Sequence, residues 1–173
     1  QDLIRPSIKS WAVNNVVMFV AILAGWPLLA HSGIHAGPLP PWYVIAGQIE
    51  AVADDIGIQA AKTGMLASSA IIATIADIWH AQNLAGVVPL VVDPVCASMH
   101  GDPLLHPSAL DSLRSQLFPL ATLVTPNLDE VRLLVDIDVV DDDSQREAAR
   151  ALHALGPQWA LVKGGHLRSS PES

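Results

Sequence analysis

Polar residues that could bind an anion or a metal ion follow four apolar runs of the chain, each with the composition of a buried strand. The four polar segments are Lys62-Thr63-Gly64-Met65, Asp93-Pro94-Val95, Thr125-Pro126-Asn127 and Lys163-Gly164-Gly165-His166. They supply lysines, a carboxylate, an amide, a hydroxyl group and several glycines. Carboxylates suit hard cations such as Mg²⁺, and glycines let a ligand approach the backbone closely. The pattern predicts an anion and metal site, provided that the fold brings the four segments together.

Each of these residues also has an ordinary structural explanation, which the sequence leaves open. Asp93 precedes a proline and could be a turn residue. Asn127 and Glu130 form the pattern N-x-x-E, which is typical of a capped helix N-terminus. Capping and phosphate binding can coexist there, because the helix dipole favours both. Lys163 could be an exposed lysine at the end of a strand.

Strand and helix patterns alternate over residues 43–163. The predicted strands are 58–64, 87–93, 121–125 and 159–163, and the predicted helices are 43–55, 68–82, 107–117, 127–135 and 143–155. The helices are indicated by apolar residues at helical spacing and by capping residues such as Ser68 and Asn127. Such alternation favours a parallel sheet with helices on both faces, and ligands bind such sheets at the carboxyl ends of the strands. The four polar segments therefore fall at one edge of the predicted sheet.

The N-terminal part of the chain differs in composition from the rest. Residues 10–49 contain no Asp, Glu, Lys or Arg, and residues 16–30 are an uncharged, mostly apolar run. A membrane-spanning helix needs about 20 apolar residues, and Pro27 interrupts this shorter run. We favour one or two buried strands here, with residues 16–23 the better candidate, and keep a membrane segment as the alternative.

The overall composition excludes several classes of protein. A chain of 173 residues predicts one domain, and 51% hydrophobic residues exclude a disordered chain. A formal net charge of −8 would repel nucleic acid, so a small-molecule or protein partner is expected. Cys96 is the only cysteine, which excludes an internal disulfide and fits a reducing compartment such as the cytoplasm.

Six short segments of the chain form an ordered set of motifs: residues 62–66 (KTGML), 92–95 (VDPV), 101–105 (GDPLL), 120–122 (LAT), 125–130 (TPNLDE) and 161–167 (LVKGGHL). In order and spacing they resemble the hydroxymethylpyrimidine/phosphomethylpyrimidine kinases of thiamine biosynthesis. The resemblance covers about residues 44–168 and implies a ribokinase-like, three-layer α/β fold, with a mostly parallel sheet and helices on both faces. It also implies ATP-dependent phosphorylation of a hydroxymethylpyrimidine or its monophosphate, with ATP and Mg²⁺ bound, by a homodimer.

The resemblance implies roles for individual residues. It assigns metal binding to Asp93 and Glu130, ATP or phosphate binding to Asp102, Asn127, Lys163 and Gly164, and contacts with the pyrimidine to Met65 and Val95. Gly101 and Asp102 match a lid-like segment but could equally form a plain turn. Lys62 could face phosphate, but we favour no functional role for it. Cys96 is expected to be a small core residue.

Two glycine-rich turns of the family have no counterpart in this sequence. Nothing in residues 1–37 resembles the turn that closes over the pyrimidine. The turn that supplies the catalytic base and the anion hole is expected beyond Ser173. We therefore expect an atypical segment over residues 1–43, a partial, apparently truncated kinase domain over residues 44–173 and no catalytic base within the sequence. Alternatives are a pyridoxal kinase-like enzyme, an inactive family member that acts as a binding module and a membrane-associated protein.

Overall fold

In the part of the chain that the structure describes, five parallel strands form the sheet that carries the polar segments at its edge. The computed structural model describes residues 17–19, 41–98 and 101–164. The strands are β1 (Val17–Phe19), β2 (Ala60–Thr63), β3 (Leu90–Val92), β4 (Leu123–Val124) and β5 (Trp159–Ala160). They lie side by side in the order β1-β2-β3-β4-β5, and every neighbouring pair is parallel. The carboxyl ends of all five strands therefore meet at one edge.

The strands are shorter than the apolar runs predicted them to be. Proline has no backbone N–H and so cannot donate to the ladder of a sheet. Pro89 and Pro94 flank β3, and Pro126 follows β4, so the regular pairing ends close to these residues. The ladder resumes at one isolated parallel bridge between Asn127 and Lys163. Of the strand predicted over residues 16–23, the structure describes β1, and the remainder lies outside the described residues.

Within the described residues, five α-helices lie between the strands. They are α1 (Pro41–Asp55), α2 (Ser69–Ala81), α3 (Pro107–Ser112), α4 (Leu128–Val135) and α5 (Asp142–His153). The helix predicted over residues 107–117 is α-helical only to Ser112 and continues as a π-helical turn, Leu113–Leu117. Leu113, Leu117 and Phe118 in and after this turn are all buried in the core. No helix within the described residues is long and apolar enough to cross a membrane.

The hydrophobic core lies mainly against one face of the sheet. Side chains of a strand point alternately to the two faces. Ala61 and Thr63 on β2 are buried, as are Leu90 and Val92 on β3, and helices α1, α2 and α3 pack in a row next to one another. On the opposite face, Lys62, Val91 and Leu123 are only partly buried within the described part of the chain. The side chains of one face are therefore buried, while those of the other face are partly exposed near the strand ends.

Helix α4 is fixed at both ends by side chains. At its N-terminus, Asn127 and Glu130 form a capping box. At its C-terminus, the Arg114 guanidinium donates to the carbonyl oxygens of Leu133 and Leu134 at 2.6 and 2.8 Å. The last carbonyls of a helix have no partner within the helix, so these bonds satisfy them and add a positive charge at the negative end of the dipole. The start of α4 is thus held in a defined position at the sheet edge.

Candidate functional site

Asp93 forms the centre of a cluster of charged side chains at the carboxyl edge of the sheet. Asp93 directly follows β3, and its backbone N–H donates to the Thr63 carbonyl of β2. Its Oδ2 accepts a hydrogen bond from Lys62 Nζ at 3.0 Å, and its Oδ1 accepts one from Lys163 Nζ at 3.1 Å. The Asp93 side chain is 21% exposed, and those of Lys62 and Lys163 are 35% and 44% exposed. One partly buried carboxylate therefore holds two ammonium groups that solvent can reach.

The two lysines keep Asp93 ionised. Burial raises its pKa, but the hydrogen bonds and positive charges of Lys62 and Lys163 outweigh burial and hold the pKa of Asp93 below its usual value of 3.8. Neighbouring cations and bonds to the charged form favour the carboxylate in the same way. At neutral pH the cluster therefore consists of one carboxylate between two ammonium groups.

The N-terminus of α4 lies beside this cluster. The Asn127 backbone N–H donates to Glu130 Oε2 at 2.8 Å, and the Glu130 N–H donates to Asn127 Oδ1 at the same distance. The Lys163 N–H donates to the Pro126 carbonyl at 2.9 Å, which aligns the segment after β5 with the segment before α4. The capping explanation of the N-x-x-E pattern is thus confirmed. A helix N-terminus also attracts anions, because its free N–H groups and its dipole point outward.

Glu130 is almost completely buried, with 2% of its surface exposed. Burial raises its pKa above the usual 4.5. The Asn127 N–H, the Lys163 charge and the Cys96 N–H lower this pKa, and the charge of Asp93 raises it further. The net pKa of Glu130 is raised, because the stabilising contacts do not offset its loss of water. The negative charge of Asp93 thus adds to the effect of burial on the pKa of Glu130.

Asp93 and Glu130 are the type of ligand that Mg²⁺ takes when it is bound together with phosphate. Mg²⁺ is usually held by one or two carboxylates, with water and substrate phosphates completing its shell. A divalent cation between Asp93 and Glu130 would relieve their repulsion. The described residues contain no group of three or more His, Cys, Asp or Glu placed to hold a metal ion. Within the described residues, the further ligands of such an ion would be water and phosphate oxygens.

A loop after β3 approaches the same helix. The Ser98 N–H donates to the Asp102 carbonyl at 2.8 Å, and the Leu104 N–H donates to the Cys96 carbonyl at 2.8 Å, so residues 101–104 lie against residues 96–98. Gly101 has a φ of +83°, which favours glycine, and a Cβ there would lie 3.4 Å from Asp129 Oδ1. The loop therefore rests on the first turn of α4.

The predicted site residues divide into two groups by placement. The structure brings Asp93, Asn127, Glu130 and Lys163 together in one cluster. The side chain of Asp102 is exposed, and its backbone is used by the loop. Met65, Val95 and Gly164 are each partly buried after the ends of β2, β3 and β5 respectively. Their roles toward a ligand stay predictions, as do those of the cluster.

Two residues of this region depart from expectation, Lys62 in its place at the site and Val95 in its backbone conformation. Lys62, for which the sequence favoured no role, belongs to the cluster through Asp93. The signal that could have found it is the alternation of β2, which turns Lys62 away from the buried face that Thr63 occupies. Val95 has a φ of +44°, a left-handed conformation that is an outlier for a β-branched residue. Strained backbone of this kind clusters at functional sites.

Cys96 is buried, as predicted for a core residue. Burial and the negative charge of Glu130 raise the pKa of its thiol to about 12. A thiol with such a pKa is protonated at neutral pH and is a poor nucleophile. The chemistry of this edge therefore rests on charged groups rather than on covalent attack by Cys96.

Comparisons with known proteins agree with this geometry. A family model described as phosphomethylpyrimidine kinase matches residues 19–173. The hydroxymethylpyrimidine/phosphomethylpyrimidine kinase of Mycobacterium tuberculosis is 78% identical over 172 residues, which are 98% of this chain and 61% of that protein. A thiamine biosynthesis bifunctional protein of Geobacter sulfurreducens is 45% identical over 136 residues, 79% of this chain and 26% of that protein.

Solved structures show the same fold. The phosphomethylpyrimidine kinase of Clostridium difficile has a TM-score of 0.68 and 38% identity, covering 75% of this chain and 55% of that one. A pyridoxal kinase of Staphylococcus aureus in complex with AMP-PCP has a TM-score of 0.64 and 33% identity, covering 75% and 45%. The predicted α/β fold class of ribokinase-like kinases is thereby confirmed. This chain spans about three fifths of the length of the mycobacterial relative. It belongs to the phosphomethylpyrimidine kinase family.

Proposed function

We propose that the protein transfers the γ-phosphoryl group of ATP to a hydroxymethylpyrimidine, 4-amino-5-hydroxymethyl-2-methylpyrimidine, or to its monophosphate, in thiamine biosynthesis. The observation that carries the proposal is the cluster of Asp93, Lys62 and Lys163 beside the capped N-terminus of α4. Phosphoryl transfer depends on positioning and on stabilising negative charge. This edge offers cationic groups, free helix N–H groups and two carboxylates for that purpose.

The residues of the cluster divide the work as follows. Lys163 and the N-terminus of α4 at Asn127 bind phosphate oxygens, with Gly164 allowing close approach of the backbone. Asp93 and Glu130 hold Mg²⁺, which neutralises phosphate charge when it is bound. The loop that contains Asp102 covers the nucleotide, and Met65 and Val95 contact the pyrimidine. The substrate oxygen forms the new bond to phosphorus as the bond to ADP breaks. Its proton passes to a base, a role that we give to none of these residues.

The names of similar proteins support this substrate over pyridoxal. The relatives reported above carry the pyrimidine kinase or thiamine biosynthesis names, at identities up to 78%. The structural neighbours include both pyrimidine and pyridoxal kinases at lower identity. We also propose a homodimer and a cytoplasmic location, on the family resemblance and on the single cysteine respectively.

The test is a phosphorylation assay with the purified protein. ADP release is measured with ATP, Mg²⁺ and each of three acceptors: the hydroxymethylpyrimidine, its monophosphate and pyridoxal. We expect turnover with one or both pyrimidines, and strong loss of turnover in Lys163→Ala and Glu130→Ala variants. Faster turnover of pyridoxal would favour the alternative enzyme. Binding of ATP without turnover of any acceptor would favour the inactive binding module.

A further inference from the structure

Lys62 belongs to the charged cluster, but the function proposed above assigns no ligand to its ammonium group. It lies on β2 with its side chain on the partly covered face of the sheet, while its neighbours Ala61 and Thr63 are buried on the other face. The ammonium group reaches over the end of β3 to Asp93 Oδ2 at 3.0 Å. With 35% of the side chain exposed, this group is accessible to a ligand at the edge of the sheet.

The charges of the cluster leave Lys62 less compensated than Lys163. Both lysines share Asp93, and a single carboxylate carries only one negative charge. Lys163 also feels the charge of Glu130. Lys62, by contrast, has its one ion pair within the described part of the chain with Asp93. A ligand anion that arrives here therefore finds an ammonium group whose positive charge is only partly neutralised.

A purely stabilising role explains Lys62 poorly. Partly exposed ion pairs contribute little to stability, because water and side-chain entropy offset the attraction. The second ammonium group also repels the first across Asp93. Lysine is a flexible point charge with three donors and commonly binds phosphate. These properties suit an ammonium group that exchanges one anionic partner for another.

We propose that Lys62 is a phosphate-binding residue, whose ammonium group moves from Asp93 to a phosphate oxygen when a ligand occupies the edge of the sheet. This inference rests on the proposed function for the identity of the ligand. The phosphate belongs either to ATP or to the pyrimidine monophosphate. Both carry the same chemistry, and the experiment distinguishes them.

The experiment compares Lys62→Met and Lys62→Arg with the unchanged protein. KM is measured for ATP, for the hydroxymethylpyrimidine and for its monophosphate. Lys62→Met is expected to raise the KM of the contacted ligand about tenfold or more, as for a lost hydrogen bond to a charged group, and Lys62→Arg to restore part of it. A rise for ATP with either acceptor identifies the nucleotide. A rise for the monophosphate alone identifies the acceptor phosphate.

Arg146→Met provides the matched control. Arg146 forms an exposed ion pair with Asp143 at 2.6 Å on α5, so this variant loses the same charge without touching the cluster. Its KM values are expected to equal those of the unchanged protein. KM values of Lys62→Met within about twofold of the unchanged protein for both phosphate-bearing ligands would overturn the inference. Should Lys62→Met fail to fold, Lys62→Gln gives the same comparison.

Calorimetric titration separates this inference from the proposed function. Binding of ATP and of the pyrimidine monophosphate is measured directly, without turnover, for the unchanged protein and for Lys62→Met. A protein that binds ATP in a Lys62-dependent way but phosphorylates no pyrimidine would refute the proposed function and support the inference. Equal affinities of the two proteins for both ligands would overturn the inference, whatever the activity.

Discussion

Replacement of Asn127 can separate helix capping from phosphate binding. The chain has two capping boxes, Asn127 with Glu130 at the start of α4 and Asp141 with Ser144 at the start of α5. Only the first lies at the charged cluster. Asn127→Ala removes an acceptor in the first box and Asp141→Ala removes one in the second, so the two variants form a matched pair.

The expected magnitudes follow from the contacts of Asn127. Its Oδ1 accepts a hydrogen bond of 2.8 Å from the Glu130 N–H. Loss of such a cap costs about 1 kcal/mol, which lowers the melting temperature of a chain of this size by about 2–4 °C. If Asn127 also binds phosphate, losing a bond to a charged ligand lowers kcat/KM by about 10- to 100-fold. Asp141→Ala is expected to lower the melting temperature only.

Asn127→Asp makes the test sharper. Aspartate caps helices as well as asparagine does, so this variant is expected to melt closer to the unchanged protein than Asn127→Ala does. Its negative charge would repel phosphate, so kcat/KM is expected to fall at least as far. Thermal unfolding and coupled ADP release measure the two effects. If Asn127→Ala melts lower but keeps its kcat/KM, Asn127 is only a cap and our assignment is wrong.

Three further predictions concern stability. Because the pKa of Glu130 is raised on folding, its contribution to stability is present below its unfolded pKa near 4.5 and is lost as pH rises through the folded pKa. Glu130→Gln should therefore gain stability relative to the unchanged protein as pH rises above 4.5. Urea titrations at several pH values measure the difference in unfolding free energy between the two proteins. A difference that stays constant with pH would contradict this prediction. Val95→Gly relieves a left-handed φ of +44°. We therefore expect it to lower the free energy of unfolding in urea by at least about 1 kcal/mol less than Val91→Gly, in the middle of β3, does. Equal losses of stability in the two variants would argue against strain at Val95. Gly101→Ala should lower the melting temperature, because Gly101 has a φ of +83°. Gly47→Ala should raise the melting temperature by an amount equivalent to about 0.5–1 kcal/mol, because Gly47 lies in α1 with open space at the Cβ position. Changes of the same sign in the two variants would refute this prediction.

The order of elements could be predicted from sequence because apolar periodicity and caps are local signals. Asn127 caps α4 where the pattern placed a helix start, and α5 begins at Asp142, one residue before its predicted start. The strand ends were less predictable, since an apolar run does not show where pairing stops. Pro89 and Pro94 flank β3, and Pro126 follows β4, so both strands are shorter than the apolar runs that predicted them. The four polar segments nevertheless lie at one edge of the sheet, because all five strands are parallel.

The contacts of the site depend on distant residues and could not be read from sequence. Lys62 joins the cluster only because the register of β2 and β3 pairs it with Val91, which brings it next to Asp93. The left-handed conformation of Val95 runs against the preference of a β-branched residue for extended backbone. Asp102 belongs to a segment that matches a motif of the family, but its side chain is exposed to solvent. The sequence motifs therefore predicted which edge of the sheet carries the site, but they did not predict the side-chain contacts within it.

The parallel sheet also determines when the site can form during folding. The Lys62–Asp93 pair joins residues 31 positions apart, and the Lys163–Asp93 pair joins residues 70 positions apart. Contacts between distant residues form slowly, because long loops must close first. During synthesis, the cluster cannot be completed before β5 has left the ribosome and paired with β4. Ligands of this edge would therefore bind and stabilise only chains whose sheet is fully assembled.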